Sequence, residues 1–233
     1  MHKIMLDPDL VEQLRADRGG ALHVIEQLDP RRTAHLVVDL QNGFMEPGAP
    51  VEVPMAREIV PAVNRISRSL RAAGGTNIFL KFTTPVGDLD SWSTFYSRSS
   101  ARTSALHQDA FTPGAHHWQL WPALDIDEAV DLQVEKRRFG AFIPGTCDLD
   151  AILRARGIDT LIITGTLTNC CCEATARDAM QLNYRVIFTA DATAALSDAQ
   201  HNATLNNMLF LVGDVRMAAE VAGMLEPVGV AAD

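Results

Sequence analysis

Short apolar runs alternate along the chain with longer stretches in which apolar positions recur every three or four residues. Uninterrupted short runs are typical of strands buried on both faces of a parallel sheet, and the wider spacing is typical of helices. The pattern predicts strands at 34–39, 77–82, 131–135, 160–164 and 185–189, with a possible sixth at 209–212. It predicts helices at 59–73, 149–156, 173–182 and 199–210.

This alternation predicts a three-layer α/β/α fold, in which a six-stranded, mainly parallel sheet lies between two helical layers. The domain spans 33–233, and residues 1–32 precede it as an N-terminal helical extension. In such sheets the functional residues collect beyond the carboxyl ends of the strands. Side chains that follow different strands are therefore expected to meet at one edge.

Composition narrows the possible partners. Apolar residues make up 47% of the 233 residues, which is ordinary for a globular protein, and the net charge is −9. An acidic chain without a basic run argues against nucleic acid and against an anionic membrane surface. Because there is no long apolar run or signal-peptide pattern, and the four cysteines show no disulfide spacing, we expect a cytoplasmic protein with reduced thiols.

Three of the cysteines, Cys170, Cys171 and Cys172, stand in a row between a predicted strand and a predicted helix. At a helix start, the free backbone N–H groups and the helix dipole favour a thiolate and can hold an oxyanion. Successive helical residues point about 100° apart, so at most one of the three faces a cleft squarely. Geometry alone leaves open which one this is, and the others fit a buried, structural role.

Two charged residues follow other strands. Asp39 ends an apolar run, where burial would raise its pKa and suit it to proton transfer, although it could also be a helix cap. Lys136 lies in a short charged stretch, and spacing alone favours a solvated surface there over a functional role. The long connection between residues 82 and 130 shows little regular pattern, and its length suggests a functional lid.

Three ordered segments resemble the isochorismatase-like cysteine hydrolases. They read LVVDLQNGF at 36–44, KRRFGAF at 136–142 and TGTLTNCCCEATARDA at 164–179. The resemblance covers roughly residues 33–215 and places the family's aspartate, lysine and cysteine on Asp39, Lys136 and Cys171. It thereby selects the middle cysteine. Isochorismatases proper lack this cysteine, so its presence points to the amidase branch.

The resemblance implies a mechanism. Asp39 would take the proton of Cys171, Lys136 would hold these partners together and lower the pKa of the thiol, and the thiolate would attack a carbonyl carbon. Backbone N–H groups of Leu167 and Cys171 would hold the oxyanion, with a cis peptide before Leu167. The result is a thioester and a released ammonia or amine.

The lid suggests the substrate class. Its segment 113–120 resembles the branch that hydrolyses ureides and carbamoyl compounds, which includes ureidoacrylate, N-carbamoylsarcosine, biuret and triuret hydrolases. We therefore expect a small-molecule amide or ureide. The predicted substrate-binding residues are Phe44, Cys170, Trp92, His116, His117 and Trp118.

Nicotinamidases of this superfamily hold a metal with an Asp-x-His pair and a further histidine. The matching stretch here contains Asp88 and Asp90 without a histidine, so we expect neither a metal nor another cofactor. Three alternatives stay open: a vinyl-ether hydrolase whose cysteine is only structural, a nicotinamidase-like amidase, and a non-enzymatic oligomer. The superfamily is usually dimeric or tetrameric, so we expect a homodimer or homotetramer.

Overall fold

The computed structural model describes residues 1–226 and contains one sheet of six parallel strands in the order β3-β2-β1-β4-β5-β6. The predicted α/β/α fold is confirmed. The strands are β1 (Thr33–Val38), β2 (Thr76–Phe82), β3 (Leu132–Lys136), β4 (Thr160–Thr166), β5 (Arg185–Ala194) and β6 (Asp214–Arg216).

The helices lie on both faces of this sheet. They are α1 (Pro8–Asp17), α2 (Asn42–Met45), α3 (Ala56–Ala72), α4 (Ser93–Tyr96), α5 (Ala101–Phe111), α6 (Leu149–Ala155), α7 (Glu173–Gln181), α8 (Asp198–Asn207) and α9 (Ala218–Met224). Side chains of α3 and α9 share one buried cluster with one face of the sheet, and side chains of α6, α7 and α8 share a second cluster with the other.

The strand β1 shows why the apolar runs are continuous. Leu36 and Val38 belong to one buried cluster, Val37 belongs to the other, and all three are fully buried. A strand covered on both faces needs apolar side chains at every position, which is the pattern seen in the sequence. The helix α3 ends as predicted before Gly74, whose φ of 83° lies in the left-handed region that favours glycine.

One predicted strand is wrong. Residues 209–212 belong to a π-helical turn, Met208–Val212, and the sixth strand follows at Asp214–Arg216. The apolar residues Met208, Leu209 and Val212 are buried in helical spacing, so their periodicity continues that of α8. Gly213 then lets the chain approach β5, because a Cβ there would lie 2.1 Å from the Val186 carbonyl oxygen.

The connection after β2 has more regular structure than its sequence suggested. It contains a 3₁₀ turn (Leu89–Trp92) and the helices α4 and α5. Helical spacing on α5 is carried by Thr103, Ser104 and His107, which are polar, so a search for apolar periodicity missed it. This helical lid forms one wall of the cavity described below.

Residues 1–32 pack against the main core. They form one α-helix, α1, and a 3₁₀ turn (Pro30–Arg32), and the backbone N–H groups of Val24 and Ile25 donate to the carboxylate of Asp214 in β6. The division at residues 32 and 33 stays a prediction, and positions 227–233 of the predicted domain lie outside the described residues. Within 1–226, no helix is both long and apolar enough to cross a membrane.

Candidate active site

Three strand ends bring the predicted catalytic side chains to one edge of the sheet. Asp39 follows β1, Lys136 ends β3, and Cys171 lies in a π-helical turn, Thr168–Cys172, between β4 and α7. Lys136 Nζ lies 2.7 Å from Asp39 Oδ2, and both side chains are fully buried. Cys171 is 5% exposed, and its thiol is one of the groups that lower the pKa of Asp39. The parallel-sheet rule thus brings these three residues together.

Asp39 is held by its own backbone. Its N–H donates to the Leu80 carbonyl at 3.0 Å, and its carbonyl accepts from the Gln41 N–H at 2.8 Å. Its φ of 53° lies in the left-handed region, which is uncommon for a residue other than glycine. Such strain costs about 1–3 kcal/mol and is concentrated at functional sites.

A glycine sets the spacing between β1 and β4 beside this residue. Gly165 pairs with Val38 and has a φ of 111°. A Cβ at Gly165 would lie 2.1 Å from the Val38 carbonyl oxygen, which is far inside van der Waals contact. Only glycine therefore permits the backbone approach between the strand before Asp39 and the strand before the cysteine turn.

The acid–base pair is tuned by burial and by mutual charge. Burial raises the pKa of Asp39, while the Lys136 charge and hydrogen bonds from Lys136 and Cys171 oppose that rise. Burial disfavours the Lys136 cation, but the charges of Asp39 and Cys171 outweigh it, so its pKa rises. The result is a permanent cation beside a carboxylate of increased basicity, which suits Asp39 to accept a thiol proton.

The pKa of Cys171 corrects the expectation of a lowered value. Its hydrogen bond with Cys170 and its burial raise the pKa of the Cys171 thiol, and the Lys136 charge only partly opposes them. The sequence argument included the lysine charge and the helix start but could not include the burial of the thiol. Cys171 therefore holds its proton at rest and needs a general base.

The predicted oxyanion site lies beside the nucleophile. The Thr166–Leu167 peptide is cis, as the resemblance implied, and Leu167 and Cys171 both line the cavity. The Leu167 carbonyl accepts from the N–H groups of Cys170 at 3.1 Å and Cys172 at 3.2 Å, which ties the turn together. The role of the Leu167 and Cys171 N–H groups as oxyanion donors stays a prediction.

A cavity of about 610 Å³ lies over Cys171. Two of the predicted substrate-binding residues, Phe44 and Cys170, line it. Its other walls come from the segment after α2, the end of β2, the helices α4 and α5, and two loops. These residues are Ala49, Pro50, Val51, Glu52, Val53, Phe82, Phe95, Tyr96, Ser99, Thr103, Ser104, His107, Phe139, Leu167 and Leu196.

Three predicted pocket residues lie outside this cavity. His116 and His117 face Glu46, at 2.9 and 3.4 Å from its carboxylate oxygens. The Trp118 indole N–H donates to Thr83 Oγ1 at 2.9 Å. Their segment runs beside the loop after β1, where the N–H groups of residues 42 and 43 donate to backbone carbonyls of residues 119 and 117. It braces that loop and is turned away from the substrate space.

Trp92 also lies outside the cavity, one layer behind its wall. Its ring centroid lies 4.5 Å from that of Phe95 and 4.7 Å from that of Phe139, and both of these residues line the cavity. The tryptophan therefore supports the wall without contributing to the lining. This is a packing role that its place in the loop could not reveal.

Sequence reasoning missed most of the wall. The missed α5 residues Thr103, Ser104 and His107 recur at helical spacing, which was a usable signal. Phe139 lies within the KRRFGAF motif and Phe82 ends a strand at the same edge of the sheet, and either position could have identified them. Leu196 follows β5, whose carboxyl end lies at the same edge of the sheet.

The stretch considered for a metal is occupied by an ion pair. Asp88 lies 3.7 Å from Arg137. Across residues 1–226, no cluster of three or more histidine, cysteine, aspartate or glutamate side chains has a metal-binding arrangement. Metal independence stays a prediction.

Comparisons with known proteins agree with this architecture. The family model described as "Isochorismatase domain" matches residues 33–220. The chain is 32% identical over 200 residues to the uncharacterized isochorismatase family protein YecD of Escherichia coli O157:H7, covering 85% of this chain and 99% of YecD. It is 28% identical over 210 residues to the ureidoacrylate amidohydrolase RutB of Caulobacter vibrioides, covering 84% and 92%.

A solved structure is also similar. The cysteine hydrolase from Pseudomonas syringae pv. phaseolicola 1448A superimposes with a TM-score of 0.74 at 30% identity. The match covers 85% of this chain and 94% of that protein. The fold is therefore shared with this cysteine hydrolase.

Proposed function

Because the chain belongs to the isochorismatase family of hydrolases, we propose that it is a cysteine amidohydrolase that cleaves a carbon–nitrogen bond of a small amide or ureide. One observation carries the proposal. The buried Asp39–Lys136 pair, with 2.7 Å between its charged atoms, lies beside a cysteine at the floor of a cavity. Similarity to a protein named as a ureidoacrylate amidohydrolase supports the same bond type.

The first step forms a carbon–sulfur bond. As Cys171 Sγ attacks the substrate carbonyl carbon, its proton passes to Asp39, whose raised pKa favours acceptance. The carbonyl π-electrons move to oxygen, and the resulting oxyanion is held by the Leu167 and Cys171 backbone N–H groups. Lys136 remains a cation and keeps the Asp39 carboxylate in place.

The second step breaks the carbon–nitrogen bond. The oxyanion collapses, Asp39 returns the proton to the leaving nitrogen, and ammonia or an amine departs from a thioester on Cys171. Water then attacks the thioester carbon while Asp39 takes one of its protons. That proton returns to the Cys171 sulfur as the acid leaves, and the enzyme is restored.

The test is ammonia release from a panel of primary amides and ureides. We expect release by the wild type, and a stable adduct of one acyl group on Cys171 when a slow substrate is analysed by mass spectrometry. Cys171→Ser should lose the activity by several powers of ten, because a serine hydroxyl titrates far above a thiol.

Cys147→Ala is the matched control, because Cys147 is a half-buried thiol outside the cavity lining. It should keep the activity. If Cys171→Ala retains turnover while Cys170→Ala or Cys172→Ala loses it, the nucleophile is wrongly assigned. If all three variants remain active, the cysteine mechanism fails and vinyl-ether hydrolysis becomes the better hypothesis.

A further inference from the structure

The cavity walls carry little charge. Among the described residues that line it, none is a lysine or an arginine, and the one charged side chain is the acidic Glu52. A substrate carboxylate placed here would lose its hydration without gaining a cation, and an unpaired buried charge costs several kcal/mol. Lys136 lies behind the lining and is already paired with Asp39.

The lining histidine does not supply a positive charge. His107 is packed among aromatic rings, with centroid distances of 5.4 Å to Phe82 and 5.7 Å to Tyr96. Its Nδ1 lies 3.3 Å from the Tyr96 hydroxyl oxygen. Burial lowers the pKa of His107 to about 4, so the ring is neutral at neutral pH.

The hydroxyl groups of the α4–α5 wall are largely engaged within the protein. Ser104 Oγ donates to the Tyr96 carbonyl at 3.2 Å, and the Tyr96 hydroxyl lies 3.1 Å from Thr84 Oγ1. Thr103 Oγ1 lies 2.9 Å from Ser100 Oγ. The wall therefore offers a substrate mainly aromatic and aliphatic surface.

Two further charged groups near the cavity are already occupied. Glu52 accepts from the Gly48 N–H at 2.7 Å and pairs with Arg57 at 2.9 Å. Arg138 lies outside the lining, where its guanidinium donates to the Arg137 and Ser91 carbonyls, each at 2.7 Å. Arg57 is thus paired with Glu52, Arg138 is bonded to backbone carbonyls, and neither arginine lines the cavity to receive a substrate carboxylate.

Building on the proposed function, we infer that the substrate is a neutral amide or monosubstituted urea whose acyl or N-substituent is apolar. A carboxylate-bearing ureide such as ureidoacrylate is disfavoured by the same walls. The cavity volume of about 610 Å³ accommodates an aryl or branched alkyl group.

Substrate pairs that differ in one terminal group test the inference. Hexanamide is compared with adipamate, and propylurea with 3-ureidopropanoate; in each pair a carboxylate replaces a methyl group. We expect kcat/KM to be at least 100-fold higher for the neutral member. Equal or higher kcat/KM for the carboxylates, with activity still lost in Cys171→Ser, would overturn the substrate class and leave the amidase proposal intact.

A charge-introducing variant sharpens the test. Thr103 is exposed yet lines the cavity, so Thr103→Arg adds a cation to the wall with room for the longer side chain. We expect the preference for the neutral substrate to fall at least tenfold. Thr103→Met, which adds length without charge, should leave the preference unchanged; an equal fall in Thr103→Met would contradict an electrostatic origin.

Ligand binding separates the two proposals. If no member of either pair releases ammonia, the proposed function fails, and calorimetry with Cys171→Ala then decides the chemistry of the cavity. Binding of hexanamide with no binding of adipamate supports a neutral, apolar ligand. Tighter binding of adipamate, or no binding of either compound, overturns it.

Discussion

His35 and Asp39 stand four positions apart at the centre of the molecule, and both side chains are fully buried. His35 lies within β1, with its Nε2 2.7 Å from Thr164 Oγ1 and its Nδ1 3.3 Å from Ser67 Oγ. Asp39 lies just beyond the strand, 2.7 Å from Lys136, and the Cys171 thiol is among the groups that shift its pKa. The hydrogen-bond partners of His35 are neutral hydroxyl groups, whereas Asp39 lies beside a cation and a nucleophile.

This difference shows that burial alone does not make a titratable group reactive. Burial lowers the pKa of His35 to about 3, so the ring stays neutral, and both its nitrogens have partners inside the protein. Asp39 keeps a cation beside it and adjoins a cysteine that lines the cavity. Position at the carboxyl end of the strand, and not depth, separates the functional group from the structural one.

Removing the base should give the largest effect. Asp39→Asn cannot accept the Cys171 proton, so we expect kcat/KM for ammonia release to fall by about 10³ or more. His35→Gln, which changes an equally buried residue outside the cavity, should stay within about threefold of wild type. Equal losses in the two variants would mean that the strand, and not the carboxylate, determines activity.

Removing the cation should affect stability as well as turnover. Lys136→Met leaves the buried Asp39 carboxylate unpaired, so we expect the free energy of unfolding in urea to fall by about 3–5 kcal/mol. Adding Asp39→Leu should recover part of this loss, because no unpaired charge remains.

An exposed ion pair is the matched control for Lys136→Met. Arg68 lies 2.8 Å from Asp125 and is 57% exposed, so Arg68→Met should cost under about 1 kcal/mol. A Lys136→Met variant as stable as Arg68→Met would show that the Asp39 carboxylate is neutral in the folded protein.

His35 should contribute to the pH dependence of the free energy of unfolding. The pKa of His35 is about 3 in the folded protein, below the ordinary histidine value of 6.5, so the unfolded chain binds the proton more readily between these values. Stability should therefore fall as the pH drops below 6.5, with His35 contributing up to about 1.4 kcal/mol per pH unit. In urea unfolding, the free energy of unfolding of His35→Gln should fall less steeply with decreasing pH than that of the wild type. Identical slopes for the two proteins would mean that another group takes up the proton on unfolding.

The smallest effect is expected for the third cysteine of the row. Cys172 is fully buried, with its sulfur 3.8 Å from the Thr164 carbonyl oxygen. Cys172→Ala should lower the free energy of unfolding by about 1 kcal/mol while turnover stays near normal. Loss of turnover without loss of stability would give Cys172 a role at the site.

The fold and the meeting of Asp39, Lys136 and the cysteine row were predictable because both depend on rules that operate along single strands, whereas the choice of Cys171 within the row came from the family resemblance. An apolar run marks each strand, and its end marks the edge where side chains meet. The cavity wall depends on how the lid folds back over that edge, which local pattern does not encode. Trp92 and Trp118 were therefore placed in the pocket, and the neutral His107 was overlooked.

The thiol pKa was mispredicted for a related reason. The charge of Lys136 and the helix start can be inferred from the local sequence. The burial of Cys171, which raises the pKa of its thiol, depends on how the whole chain packs. The π-helical run after α8 was mispredicted because a short apolar stretch fits a strand or a helix equally well.

The contact between Gly165 and Val38 has a consequence for how the sequence can vary. The Asp39 and cysteine turns are spaced by two backbones in contact, so no compensating side-chain change nearby can make room for a Cβ 2.1 Å from a carbonyl oxygen. A saturation-mutagenesis map should therefore show glycine as the single permitted residue at position 165. Positions in the cavity wall, which is built from side chains, should tolerate many different residues. New specificities can arise in this scaffold by changing the lid, while the distance between base and nucleophile is inherited unchanged.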